Sequence, residues 1–411
     1  MRNKAFKYKL NPTNEQEKIF AQWVGHTRFI WNQSLAANKA QYEIDKKFIF
    51  YNDLANKLPD MKKEHVWLKE VPSQALQQKL RDFDLALRRV WKSGFGFPKF
   101  KYKSDAAQSF RIPQQLKQIK PHKSYIILPK IGKVKWIKHR PLEGQLKSVT
   151  IKKENDQWWC ICICELPEVA PTQEVKYEDC VGIDLGIKEF AVTSDGEVFK
   201  SEHNYRNHEK KLRRKQRKLS KKQKGSKNSE KARSALNKLH YKIKCKRMDF
   251  THKISNQITN DYSLIGVENL NIKGMVKNRK LSKSIADQGW AMFIQQLEYK
   301  SLEKGGKTVK IDRFAPSTKT CSNCGCKQKM SLGNRIYQCE SCGFVIDRDL
   351  NAAINIKEWA IEEFNTGGTP GIYACGDSSV GIGGMSPIRY GSLKQESFGP
   401  IGPEASGFSQ K

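Results

Sequence analysis

Three acidic positions stand out by their surroundings. Asp184 lies inside Val181-Gly182-Ile183-Asp184-Leu185-Gly186, an apolar strand-like run in which a carboxylate needs a hydrogen-bonding partner or a metal. Glu268 ends a second apolar run, Leu264-Ile265-Gly266-Val267. Asp347 and Asp349 flank Arg348 just ahead of Asn351-Ala352-Ala353, at a helix start where either Asp could serve as a cap. Taken singly, these acids read as a structural Asp, a solvated strand end and a helix cap. Taken in order, they match what phosphodiester hydrolysis requires. Two divalent cations about 3.5–4 Å apart activate water and stabilise the leaving oxygen, and hard Mg2+ asks for only a few carboxylates on rigid neighbouring elements.

A second constellation is more specific. Cys321-x-x-Cys324 and Cys339-x-x-Cys342 are separated by fourteen residues, the spacing of two knuckles closing on one tetrahedral Zn2+. Gly325 and Gly343 follow the second cysteine of each pair, where a tight turn needs open backbone space. A four-thiolate site has no open position, so the zinc is expected to be structural. The total of eleven cysteines is odd, which argues against a complete disulfide framework.

Charge defines the partner. The chain carries a formal net charge of +33 in 411 residues, an excess that repels itself unless a polyanion neutralises it. The run Lys210 to Lys224 is dense in cations and reads as a phosphate-tracking face. No apolar stretch is long enough for a transmembrane helix. The N-terminus lacks the apolar core of a secretion signal, so a cytoplasmic location is expected.

The elements around these residues follow from periodicity. Lys4 to Leu10 alternates as a strand. Thr13 and Gln16 form a capping box for a helix, and Phe20, Trp23, Val24, Thr27, Ile30 and Trp31 lie on its core face. Helical spacing continues to about Trp91, with a break near Leu58-Pro59. The segment Gly94 to Lys103 ends it and mixes aromatic rings with lysine. Short strands follow to about Glu168; Cys160, Cys162 and Cys164 alternate there as small core residues rather than metal ligands. Pro167 and Pro171 mark a linker. Cys180 to Lys200 reads as three strands with a hairpin turn at Ser194-Asp195-Gly196. His203 to about Asn260 is helical with a break at Gly225-Ser226, and Ser284 with Asp287 resembles the cap of a helix running to about Glu303. Strand-like Lys307 to Phe314 precedes the cysteines, and a last helix spans Asp349 to about Phe364.

Together these segments resemble the TnpB family, encoded by insertion sequences and related to type V CRISPR effector nucleases. The likeness rests on Gly182-Ile183-Asp184-Leu185-Gly186-Ile187-Lys188, on Gly266-Val267-Glu268-Asn269-Leu270, and on the cysteine quartet followed by Asp347-Arg348-Asp349-Leu350-Asn351-Ala352-Ala353. Gly96 to Phe100 and Arg313 to Thr320 add to it, and the match extends to about residue 360.

The resemblance implies an α+β multidomain chain. A wedge β-barrel (residues 1–11 and 97–170) would be interrupted by a helical recognition insert (12–96). A RuvC-like, ribonuclease H-like nuclease domain (171–318 and 346–365) would carry an inserted zinc ribbon (319–345); beyond the resemblance, the Gly-, Ser- and Pro-rich composition of 366–411 reads as a disordered or loosely attached tail. It assigns Asp184, Glu268 and Asp349, rather than Asp347, as the catalytic acids that hold two Mg2+. It implies an RNA-guided endonuclease of prokaryotic origin, with a guide RNA from the transposon end, cutting double-stranded DNA beside a short flanking motif; a monomer is expected, although the sequence leaves the oligomeric state open. The competing expectations are a carboxylate-triad transposase that joins strands, and an RNA-guided repressor that binds without cutting.

Overall fold

Strand β1 (Arg2–Asn11) alternates as its sequence requires, turning Phe6, Tyr8 and Leu10 into a core. In this computed structural model, residues 1–93, 96–103, 108–114, 118–172, 174–331 and 333–366 are described. The expectation for 366–411 therefore lies, beyond Thr366, outside the described residues.

Helix α1 (Asn14–Asp45) starts at the capping box: Thr13 accepts from the Gln16 amide at 3.3 Å, and Gln16 accepts from the Thr13 amide at 3.1 Å. All six residues of its expected apolar stripe are buried. Helices α2 (Tyr51–Asn56), α3 (Leu58–Glu64) and α4 (Ser73–Ser93) follow in sequence before the next strand. The expected break near Leu58-Pro59 is present: α2 ends at Asn56, α3 begins at Leu58, and Pro59 sits in the first turn of α3, where its missing N–H costs nothing.

Strands β2 (Gln108–Pro113), β3 (Lys120–Pro121), β4 (Tyr125–Leu128), β5 (Gly132–Ile137), β6 (Gln145–Glu154) and β7 (Gln157–Leu166) join β1 in one antiparallel sheet, in the order β2-β6-β7-β1-β5-β4-β3. Strands β2 and β3 stand at its two ends. Cys160, Cys162 and Cys164 are fully buried on one face of β7. Burial pushes the Cys160 thiol up and Cys164 to about 11, as befits core residues kept neutral.

A second sheet has the order β10-β9-β8-β11-β12, from β8 (Cys180–Asp184), β9 (Glu189–Thr193), β10 (Val198–Lys200), β11 (Leu264–Glu268) and β12 (Lys307–Ile311). The first three strands in sequence run antiparallel, with Gly196 at φ +84° in the hairpin turn; β8, β11 and β12 are parallel. Helices α5 (Arg206–Ser220) and α6 (Lys227–Asp261) form the basic excursion between β10 and β11. Helices α7 (Ile272–Met275), α8 (Ser282–Gln288) and α9 (Trp290–Glu303) follow β11. The expected cap at Ser284 and Asp287 is not one for its own helix. Both residues lie inside α8, which ends at Gly289 (φ +74°), and the Asp287 carboxylate instead accepts from the amides of Tyr205 and Arg206 at the start of α5.

Helices α6 and α9 cover one face of this sheet, packing Ile254, Ile258 and Phe293 against Val181, Ile183, Ile265 and Val267. Helix α10 (Arg348–Asn365) covers the other, with Ile356 and Ala360 against Cys180, Leu264, Val309 and Ile311. Between β12 and α10 the chain forms a small hairpin, β13 (Ile336–Gln338) with β14 (Val345–Asp347). Among the described residues no helix is long and apolar enough to cross a membrane.

Candidate active site and cysteine cluster

Strand alternation places the acids. In β8, Val181 and Ile183 face α6 and α9, so Gly182 and Asp184 face α10; in β11, Ile265 and Val267 do the same, leaving Gly266 and Glu268 on the α10 side. The parallel register pairs Gly182 with Gly266 and Ile183 with Val267, which brings Asp184 and Glu268 to the same C-terminal edge of neighbouring strands.

The paired glycines let α10 lie directly on the sheet. A methyl group on Gly182 would overlap the backbone of Ala353 and Lys357, and one on Gly266 would come within 2.8 Å of the Ile356 carbonyl and the Ala360 methyl. That close seating carries the N-terminal turn of α10, and Asp349 with it, to the strand ends. Asp184, Glu268 and Asp349 all line one cleft of about 550 Å3. Lys188, Lys319, Arg335 and Arg348 line it too, so cations rim a carboxylate floor.

The two neighbouring acids have different roles in the helix start. Asp347 caps α10, accepting from the amides of Asp349 at 2.9 Å and Leu350 at 3.1 Å. Asp349 turns into the cleft, where its Oδ1 accepts from Arg348 at 2.8 and 3.0 Å and its Oδ2 from Arg335 at 2.9 Å. Glu268 accepts from the Ser317 hydroxyl at 2.7 Å. Asp184 is only 9% exposed. Burial, and then the negative charges of Glu268 and Asp349, push its pKa well up against the opposing pull of Arg348. Burial also raises Glu268, partly offset by the Ser317 hydrogen bond. Asp184 thus feels both other acids, a concentration of negative charge that a divalent cation would relieve.

The four cysteines converge as a unit. Their sulfurs lie within 4.8 Å of one another, with Cys321–Cys342 at 3.8 Å and Cys324–Cys339 at 3.6 Å. A tetrahedron of sulfurs about 2.3 Å from a metal has edges near 3.8 Å, so the donor set fits a soft tetrahedral ion. Each knuckle closes in the same way: Gly325 donates to the Cys321 carbonyl and Gly343 to that of Cys339, with both glycines at positive φ. Phe344 N–H, followed by the Asn323 amide, draws the Cys342 thiol down to about 6. Tyr337, Phe344 and Ile346 form a small core beneath the sulfurs.

Two asparagines tie this cluster to the cleft. Asn351 donates to the Thr320 carbonyl at 2.7 Å and accepts from the Ser322 amide, while Asn355 donates to the carbonyls of Ser317 and Thr320 at 2.8 Å. Asn351 belonged to a motif recognised in the sequence, but its anchoring role, and that of Asn355, went unread. Ser317 and the Gly182/Gly266 pair were also missed as parts of the site. The glycines had a usable signal, since each stands two residues before an acid in an apolar run.

The comparisons can be set on this geometry. A family model described as "Probable transposase" matches residues 151–279, one described as "Cas12f1-like, TNB domain" matches 290–356, and one described as "Helix-turn-helix domain" matches 1–47. Two relatives bear names that begin "Putative RNA-guided DNA endonuclease". One, from Escherichia coli strain K12, is 32% identical over 373 residues, covering 86% of this chain and 92% of its own. The other, from Streptomyces pristinaespiralis, is 31% identical over 403 residues and 96% of each chain. The chain belongs to the TnpB family. A cryo-EM structure of a Cas12f1–sgRNA–target DNA complex superposes on this TnpB chain with a TM-score of 0.58 at 16% identity, over 87% of this chain and 98% of that one, a likeness of fold. In this TnpB member residues 1–47 are a strand and one continuous helix, β1 and α1, not a pair of helices joined by a turn.

Proposed function

We propose that this TnpB chain is an RNA-guided DNA endonuclease, and that Asp184, Glu268 and Asp349 are its catalytic carboxylates. The observation that carries the reading is the meeting of these three acids, from two strands and a helix distant in sequence, in one cation-rimmed cleft. In this reading the second sheet with α10 is the RuvC-like nuclease domain, the cysteine hairpin its zinc ribbon, the first sheet the wedge, and α1–α4 the recognition insert.

Mg2+ ions, when bound, supply a water nucleophile and stabilise the leaving oxygen. Asp184, Glu268 and Asp349, which line the same cleft, would hold these ions. Ser317 fixes the Glu268 carboxylate, and Lys188 and Lys319 at the rim attract the phosphate backbone. Arg335 and Arg348, which pair with Asp349, would compete with a metal ion for its carboxylate. Base pairing with a guide RNA reads the target, while the protein reads a short flanking motif and the duplex backbone. A single cleft of this kind cuts the two DNA strands in succession.

The test is to express the protein with its native downstream flank, sequence the RNA that co-purifies, and challenge the complex with a plasmid carrying the matching sequence. The reading predicts one discrete RNA and Mg2+-dependent linearisation. Binding without cutting would favour a repressor. Strand joining at transposon ends without RNA would favour a transposase.

A further inference from the structure

The Gly96 to Lys103 segment plays no part in the cleft, yet it is built with care. It runs extended along α1 and is clamped there: the Trp31 indole donates to the Lys99 carbonyl at 3.0 Å, and Asn32 both donates to the Lys101 carbonyl at 3.0 Å and accepts from the Lys101 amide at 2.9 Å. The clamp does not bury the aromatic rings. Phe97 is 37% exposed, Phe100 36%, Tyr102 65%, and Tyr42 on the adjoining turn of α1 42%. Tyr42 stacks on Phe48 at 4.8 Å, and Phe48 reaches Phe97 at 6.0 Å, so these three rings form a row, with Phe100 and Tyr102 further along the same segment.

Lysines stand over Phe100, Tyr42 and the buried Trp31. Lys39 lies 5.0 Å from the Phe100 ring, Lys46 5.1 Å from Tyr42 and Lys101 3.3 Å from Trp31. Lys47, Lys99 and Lys103 add to them. Nearby acids on α1 are Glu43 and Asp45, and the Asp45 carboxylate is taken up by Gln41 and the Lys47 amide. From Trp31 to Lys46 the helix runs about 22 Å at 1.5 Å per residue, room for several bases at 3.4 Å or more each. A second copy of this chain would bring like charge to like charge. Exposed rings interleaved with cations, held on a rigid support, are instead what unpaired bases and their phosphates fit.

We propose that this strip is a stacking platform for single-stranded polynucleotide, with Phe97, Phe100 and Tyr102 contacting base faces and the surrounding lysines the phosphates. It deepens the nuclease reading, on which its biological use rests. Its test involves no cleavage, so the two readings can fail separately.

The experiment measures binding of labelled oligonucleotides of about 20 nucleotides to the full chain without added Mg2+ at about 0.4 M salt, where phosphate contacts are weakened. The probes are single-stranded DNA, single-stranded RNA and duplex DNA. Replacing the rings while keeping apolar bulk (Phe97→Leu, Phe100→Leu and Tyr102→Leu together) is expected to weaken single-strand binding at least about tenfold, given the loss per stacked base. Duplex binding should stay within about twofold, and the salt slope should be unchanged because no lysine is removed. Loss confined to RNA assigns the guide as occupant; loss confined to DNA assigns an unpaired target strand. Should the triple variant misfold, photocrosslinking of thiouridine- or thiothymidine-containing strands to the unaltered protein decides, with adducts expected at residues 97–102. Unchanged single-strand affinity in a folded variant, equal loss on duplex, crosslinks only elsewhere, or a nucleic-acid-free dimer abolished by the substitutions would each overturn the proposal.

Discussion

The cysteine cluster and the carboxylate cleft adjoin each other, yet they are prepared to different degrees. The thiols already stand at tetrahedral edges of 3.6 and 3.8 Å, each knuckle closed by its own backbone hydrogen bonds. The acids share a cleft, but Asp349 is held by two arginines, and burial raises the pKa of Asp184 and Glu268. The difference teaches how each site is built. Segments near one another in sequence assemble the cysteine cluster, whereas the cleft assembles from remote segments and packs buried carboxylates against arginines.

The largest effect should follow from breaking the prepared site. Cys321→Ser, or stripping metal with a strong chelator, is expected to unfold the hairpin around β13 and β14, because structural zinc supplies on the order of 10 kcal/mol to small ribbons. Hydrogen exchange should show protection lost at residues 320–347 and retained in both sheets. Retained protection throughout would mean that the ribbon folds without metal.

Gly182→Ala tests whether the cleft depends on the seating of α10. The added methyl meets backbone, which cannot swing aside, so a loss of about 1–3 kcal/mol is expected in denaturant unfolding. Cleavage should fall as well, because Asp349 moves with the helix.

Removing the buried charge should act in the opposite direction. Burial places the folded-state pKa of Asp184 above its unfolded value, so the protonated acid favours the fold at low pH, and that contribution is lost as pH rises through the raised value. Metal-free protein at neutral pH carries the cost. Asp184→Asn should therefore raise its thermal midpoint by about 2 °C or more, and the gain should vanish at acid pH or when Mg2+ is added to the native chain. A midpoint unchanged at every pH would place Asp184 outside a coupled acid cluster.

The smallest effect should come from Arg335→Gln. Metal and guanidinium compete for the Asp349 carboxylate, and Arg335 is nearly half exposed, so the pair holds at most about 1 kcal/mol. Mn2+ affinity measured without nucleic acid should rise by up to about fivefold.

Much of this was legible because the signals were local. The capping box, the core stripe of α1, the cysteine strand β7 and the thiol quartet each follow from spacing within one segment. Asp184 and Glu268 stood out by their apolar runs and the Asp347/Asp349 pair by its place at a helix start, while the choice of Asp349 within that pair rested on the family resemblance. The seating of α10 was not legible, since nothing in Gly182 or Gly266 alone says that they pair across strands beneath one helix. Asp287 was read as the cap of its own helix, because local periodicity does not reveal that its carboxylate serves α5 from a distance in sequence. The guanidinium partners of Asp349 depend on the fold of the hairpin that carries Arg335, and so were equally hidden.

The most direct measurement is guided plasmid cleavage in Mg2+ by the native protein and four single variants: Asp184→Asn, Glu268→Gln, Asp349→Asn and Asp347→Asn. The account predicts that the first three lose more than about 100-fold in rate, beyond what losing a mere supporter of a metal ligand costs, while keeping their RNA. Asp347→Asn should cut DNA, since an asparagine still caps α10. Near-native cutting by any of the first three variants, or loss confined to Asp347→Asn, would contradict it.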